Sequence, residues 1–225
     1  VQSRRLILIV FLYSFLYYNC LSDKTCSDDD KSCSSQALIS SYLSFQQEAI
    51  YVYSTNQKYQ GNLAAYGATE EESLQNICRG EKLLSGLVNQ FCPNVQAFVS
   101  TANAPLFDYA SEYGVPTTVP IYGPTGILLS DNWTTFFGSA TILKSTLSAA
   151  GLGSELFWTF ADSTGGQGTD CLNGTTTDSE SPGSIGTPNS TSLDWINPTI
   201  SNSASCDQSL RVLCICYIAG ESVAQ

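Results

Sequence analysis

Leu210-Arg211-Val212-Leu213-Cys214-Ile215-Cys216-Tyr217 is the stretch whose reading decides the fold. Apart from Arg211 it is apolar on both faces, which predicts a strand central in its sheet rather than one at an edge. Further back, Glu155-Leu156-Phe157-Trp158-Thr159-Phe160 reads as another strand, as does residues 95–100. Ala49-Ile50-Tyr51-Val52-Tyr53-Ser54, β-branched and aromatic, reads as the first strand, with a turn following at Gly61-Asn62.

Between the first two strands, Thr69-Glu70-Glu71-Glu72 has the spacing of a capping box, with Thr69 as N-cap and Glu72 three residues on. The helix it opens carries Leu74, Ile77 and Cys78 on one face, so Cys78 is expected to point inward. Leu84, Leu87, Val88 and Phe91 continue the helical period, Gly80 and Gly86 allow a break into a second helix, and Pro93 ends it. Pro105, Pro116, Pro120 and Pro124 then punctuate loops whose expected core anchors are Trp133, Phe136 and Phe137. Residues 161–205 are almost wholly Gly, Ser, Thr, Asn, Asp and Pro, interrupted by Leu193-Asp194-Trp195-Ile196, and read as one long functional loop.

Composition narrows function sharply. The chain has 225 residues, which suits one domain with a leader and a tether. Histidine is absent, removing the commonest general base, the usual partner of a Ser or Cys nucleophile and the commonest zinc ligand. No nucleotide loop, nucleophile elbow or His-containing metal motif occurs, and no enzymatic activity, cofactor or metal is expected. With 20 acidic against 9 basic residues the surface repels phosphate backbones and sulfated glycans, which excludes nucleic acid and disfavours heparin as partners. Nine cysteines point to an oxidising compartment, and the odd number leaves one needing its own explanation.

The start of the chain supplies it. Arg4 and Arg5 precede an apolar run at 6–18, too short for a bilayer span, which ends at Asn19-Cys20. Leu16-Tyr17-Tyr18-Asn19-Cys20 is similar to a loose lipobox, so residues 1–19 read as a signal peptide and Cys20 as the lipidated residue. An ordinary signal peptide with an incidental Cys20 is the alternative. Residues 20–45 form an acidic polar tether, within which Cys26 and Cys33 can close a small loop. The folded domain is placed at 46–219 and a C-terminal tail at 220–225.

Several stretches, taken in order, resemble the endostatin-like branch of the C-type-lectin-like fold, in particular the endostatin-like outer-surface lipoproteins of spirochaetes. They are Tyr51 to Cys78 with Gly61-Asn62-Leu63 and Gly67-Ala68; Gln96-Ala97-Phe98-Val99-Ser100; Val119-Pro120-Ile121 to Trp133 and Phe137-Gly138-Ser139; and Phe157-Trp158-Thr159 through Val212-Leu213-Cys214-Ile215. The resemblance covers most of the chain beyond the tether. It implies an α+β domain with a small mixed or antiparallel sheet, one or two helices and long disulfide-stapled loops. It also implies Cys78–Cys214 and Cys171–Cys206 bridges. Cys92 and Cys216 have no counterparts in the pattern and are paired here by parity and compartment alone. Zinc-binding histidines and a heparin-binding arginine patch, found in animal endostatins, have no match.

The implied function is that of a lipoprotein anchored to the bacterial outer membrane, facing outward as an adhesin for host extracellular-matrix proteins or complement regulators. A carbohydrate-binding module and a structural envelope lipoprotein without host ligand are the alternatives. No ligand-contacting residue is singled out beyond the loop between Cys171 and Cys206. Gly165-Gly166-Gln167-Gly168-Thr169-Asp170 matches one calcium β-roll repeat, but that chemistry needs stacked copies, so a flexible turn is preferred. Thr187-Pro188-Asn189 and Trp195-Ile196-Asn197 resemble lectin calcium motifs without their first carboxylate; Asp178, Glu180 and Asp194 leave only a residual possibility. Asp162 with Asp170 is a carboxylate pair read as solvated loop acids. Asn132, Asn173 and Asn189 head glycosylation sequons expected to stay bare in a bacterium. Trp158 and Trp195 are read as buried packing rather than exposed contacts.

Overall fold

The structure is a computed structural model, and it describes residues 48–82, 93–137, 143–200 and 202–218. The leader, Cys20, the tether with Cys26 and Cys33, the second helical stretch 84–91, Cys92 and the tail all lie outside the described residues. Among those described, eight strands share one mixed sheet and the helices are few. No described helix is long and apolar enough to cross a membrane.

The apolar C-terminal stretch forms β8 (Arg211–Tyr217), and its neighbours explain why every position after Arg211 is apolar. One of its edges is covered by β1 (Ile50–Ser54), antiparallel, with Tyr53 opposite Cys214. The other edge is shared by two strands in succession. β5 (Phe157–Trp158) runs parallel to Arg211 and Val212, and β2 (Asn94–Ala97) runs antiparallel to residues 214–217. β3 (Ile121–Tyr122) and β4 (Leu128–Ser130) extend the sheet beyond β1, and β6 (Pro182–Gly186) and β7 (Ser203–Ser205) extend it beyond β5.

Strand alternation then builds two cores. Leu213, Ile215 and Tyr217 face a cluster with Ile50, Val52, Phe98, Trp133, Phe136, Phe157 and Trp195. Val212, Cys214 and Cys216 face the other, with Leu74, Ile77, Cys78, Val95, Trp158, Phe160 and Ile185. The helix α1 (Glu70–Lys82) lies on this second face and begins where the capping box predicts. Thr69 Oγ1 accepts from Glu72 N at 3.1 Å, while the Glu72 carboxylate reaches back to Ala68 N at 3.0 Å rather than to Thr69 itself. On the first face α2 (Tyr109–Tyr113) and the single turn α3 (Trp133–Phe136) deliver aromatic rings.

Three expectations need correction. The strand expected at 155–160 is only Phe157–Trp158: Glu155 leaves it for an ion pair with Arg211 at 2.7 Å, and Phe160 adopts φ 47°, which breaks extended pairing. The strand expected at 95–100 starts at Asn94 and ends at Ala97, although Phe98, Val99 and Ser100 continue buried. The long loop at 161–205 contains β6 and β7, which pair antiparallel with Gly183 opposite Ala204. Apart from Ile185 their sequences, Pro-Gly-Ser-Ile-Gly and Ser-Ala-Ser, lack the β-branched signature, and at Gly183 bulk is forbidden. A Cβ on Gly183 would lie 2.6 Å from Cys171 Sγ and 2.8 Å from the Trp158 ring.

Candidate functional site

The sheet extension made by β6 and β7 brings the start of the 171–206 segment against the start of α1. Asp170 pairs across to Gly183 as an isolated bridge, and the chain then turns through Cys171, Leu172, Asn173 and Gly174 with φ of 55°, 55°, 54° and 64°. This is one turn of left-handed helix, a conformation costing on the order of 1 to 2 kcal/mol for each non-glycine residue.

Local bonds offset part of that cost. Asp170 Oδ1 accepts from Asn173 N at 3.0 Å, Asp170 O from Gly174 N at 2.7 Å, and Cys171 O from both Thr175 N and Thr176 N. The Cys171–Cys206 disulfide pins the turn at its first residue, with Cα atoms 5.7 Å apart. Its sulfur sits over Gly61, where a Cβ would collide with it. At the exposed end of the turn Leu172 is 65% accessible, an unusual place for a large apolar side chain.

Beneath the turn lies Glu70, the first residue of α1. Its Oε1 is buried and has no hydrogen-bond partner among the described residues. A Cβ built on Gly174 would lie 3.2 Å from that oxygen and 3.2 Å from Ala64 N, so helix, turn and the 3-10 segment Leu63–Tyr66 meet there. Burial, followed by the negative charges of Glu71 and Asp170, pushes the Glu70 carboxyl up to about 7. The neighbouring Glu71 goes the other way: burial opposes it, but hydrogen bonds from Asn103, its own backbone and Thr69 hold it below the usual carboxylate range. Adjacent glutamates thus differ by environment alone.

The remaining sequence candidates separate. Cys78 and Cys214 form a disulfide of sequence separation 136 that bolts α1 to β8, and the Cys171–Cys206 separation is 35. Cys216 is also disulfide-bonded, and Cys92, its expected partner, lies outside the described residues. Asp162 does not meet Asp170 as a pair: its Oδ1 accepts from Thr164 N, Thr164 Oγ1 and Gly166 N, and those bonds hold its carboxyl low although burial opposes them. The start of the 165–170 stretch is thereby a hydrogen-bonded turn closed on Asp162. Asp194 likewise closes its own loop on Thr199 N and Oγ1. Asn197 Nδ2 donates to Ala161 O at 2.6 Å, so it serves structure. Asp178 Oδ1 accepts from Glu180 N, which folds these two acids into one tight turn. No three Cys, Asp or Glu side chains among the described residues gather as metal ligands.

Of the sequon asparagines, Asn173 and Asn189 are exposed, while Asn132 caps α3 by accepting from Thr135 N at 2.8 Å. Trp158 and Trp195 are fully buried. No family model matches the chain. No curated protein matches it either.

Neither Glu70 nor the left-handed turn was singled out from the sequence, although signals existed. Glu70 stands four residues before Leu74 and eight before Cys78, on the inward face of its own helix. Asn173-Gly174 after an aspartate is a pair that tolerates positive φ. Cys171 and Leu172 carry no such preference; the bridge to Cys206 and the hydrogen bonds of Cys171 O hold the turn.

Proposed function

We propose that the chain is an exported, lipid-anchored binding protein of the bacterial outer membrane, with an endostatin-like variant of the C-type-lectin-like fold and no catalytic role. Its partner is a host extracellular-matrix or complement-regulatory protein. The observation that carries the reading is the nested disulfide pair: Cys78–Cys214 fixes the sheet, and Cys171–Cys206 closes the polar segment that the resemblance assigns to display. Support also comes from the segment itself, whose left-handed turn raises an exposed Leu172 beside the exposed Asn173 at the cross-linked end. An exposed apolar side chain of this kind contributes binding energy when a partner buries it.

The test is a solid-phase assay of the folded, disulfide-intact domain on laminin, fibronectin, plasminogen and complement regulators. Saturable binding to one of them, weakened about tenfold or more by Leu172→Ser, is the expected result. Protease shaving of intact cells must also remove the domain. Failure to bind any of these proteins overturns the reading, as does protection from protease on intact cells.

A further inference from the structure

Around Glu70 the described groups that interact with it electrostatically are Glu71 on its own helix, Asp170 from the turn above, and the phenols of Tyr109 and Tyr113 from α2. None is a cation, and the chain has no histidine. A carboxylate closed in among them would keep one oxygen without a donor. A neutral carboxyl there avoids both the desolvation of a charge and its repulsion by Asp170 and Glu71. Even the favourable end of the α1 dipole does not reverse this balance.

Glu70 is half-buried with one oxygen covered, so ionisation is relieved by admitting water to that oxygen, and the two elements that meet over it are unequal. Helix α1 is bolted to the central strand through Cys78–Cys214. The turn is held covalently only at Cys171, and three of its non-glycine residues sit in the costly left-handed region. The turn is the side that yields.

We propose that the left-handed turn Cys171–Gly174 is a proton-controlled latch, closed over a neutral Glu70 and released when that carboxyl ionises. The inference goes beyond the binding reading and holds whether or not the chain binds a host protein. The sign follows from linkage: a carboxyl whose value in the closed state lies above its value in the open, hydrated state favours closure at low pH. That preference is lost as the pH rises through about 7. Release frees the amides of Gly174 and Thr175 from Asp170 O and Cys171 O and lets Leu172 and Asn173 leave their fixed positions.

The test is amide exchange by NMR on the full, oxidised chain, corrected for intrinsic base catalysis. Protection of Gly174 and Thr175 is expected to fall about tenfold between roughly pH 5.5 and pH 8, while that of Phe98, bonded to Leu213 O, stays level. Glu70→Gln should abolish the pH dependence at the two turn amides. Glu71→Gln, which removes a like charge and leaves Glu70 in place, should move the midpoint to lower pH. This second variant decides the matter if Glu70→Gln does not fold. A wild-type turn whose corrected protection is flat across this range overturns the proposal, as does a pH response that survives Glu70→Gln or a midpoint that Glu71→Gln leaves in place.

Discussion

The two faces of the central sheet are held by different means. On one face Phe98 stands at the centre of a ring cluster, 5.8 Å from Phe136, 5.7 Å from Phe137, 5.5 Å from Trp195 and 6.4 Å from Trp133 between centroids. The described residues of that cluster include no cysteine. On the other face, five disulfide-bonded cysteines stand among aliphatic groups and fewer rings, Trp158, Phe160 and Tyr59, under helix α1 and the β6–β7 extension. The indoles repeat the contrast. Trp158 on the cross-linked face donates its Nε1 to Tyr59 O at 2.8 Å, whereas Trp133 and Trp195 bury theirs without a partner among the described residues.

Burying a large apolar side chain contributes about 1.5 to 3 kcal/mol, and a donor left unpaired costs about 1 to 3 kcal/mol. Ring stacking in the aromatic cluster adds to the favourable side, so it can tolerate two imperfect donors. On the opposite face the buried ring pairing is that of Trp158 with Phe160, a smaller surplus. Its covering chain is a helix opening with three glutamates and a segment made of Gly, Ser and Thr, so covalent closure supplies what area does not.

If that contrast is right, removing Cys78–Cys214 by the double change to Ala has the largest effect. The chain-entropy model gives about 5 kcal/mol for the 136-residue span, enough to prevent folding at 37 °C in a marginal domain, as chemical denaturation of the variant would register. Phe98→Ala comes next, at about 4 kcal/mol, because it empties the centre of the ring cluster; the same unfolding curve reads it. A loss below 1 kcal/mol would mean that the aromatic face is not held by its rings.

The Cys171–Cys206 double change to Ala should cost least. The model gives about 4 kcal/mol for its 35-residue span, but release of the left-handed turn returns part of this, leaving about 2 to 3 kcal/mol. Loss of the turn's fixed geometry, visible as exchange broadening of the Leu172 and Asn173 amide signals, should accompany it. Should this variant prove less stable than the Cys78–Cys214 one, the order of the two staples would be reversed.

Much of the frame was legible in the chain. The two-sided apolarity of 210–217 predicts its central place, the spacing of Leu74, Ile77 and Cys78 predicts the inward face of α1, and Trp158 and Trp195 are buried as read. These are period and burial signals, carried by local sequence whatever surrounds it. β6 and β7 were not legible, because Gly183 reflects the space left by Cys171, Trp158 and Phe160, and that space exists only once distant segments have met.

By itself the sequence determined a central strand that must be covered on both sides, a capped helix with a cysteine facing in, and an acidic, histidine-free surface. Only the tertiary structure decided that one carboxylate oxygen of Glu70 would be buried without a donor and that Cys171 and Leu172 would adopt left-handed backbone. Both outcomes depend on where residues roughly a hundred positions apart come to rest. Desolvation and backbone strain are properties of that enclosure, not of the residues it encloses.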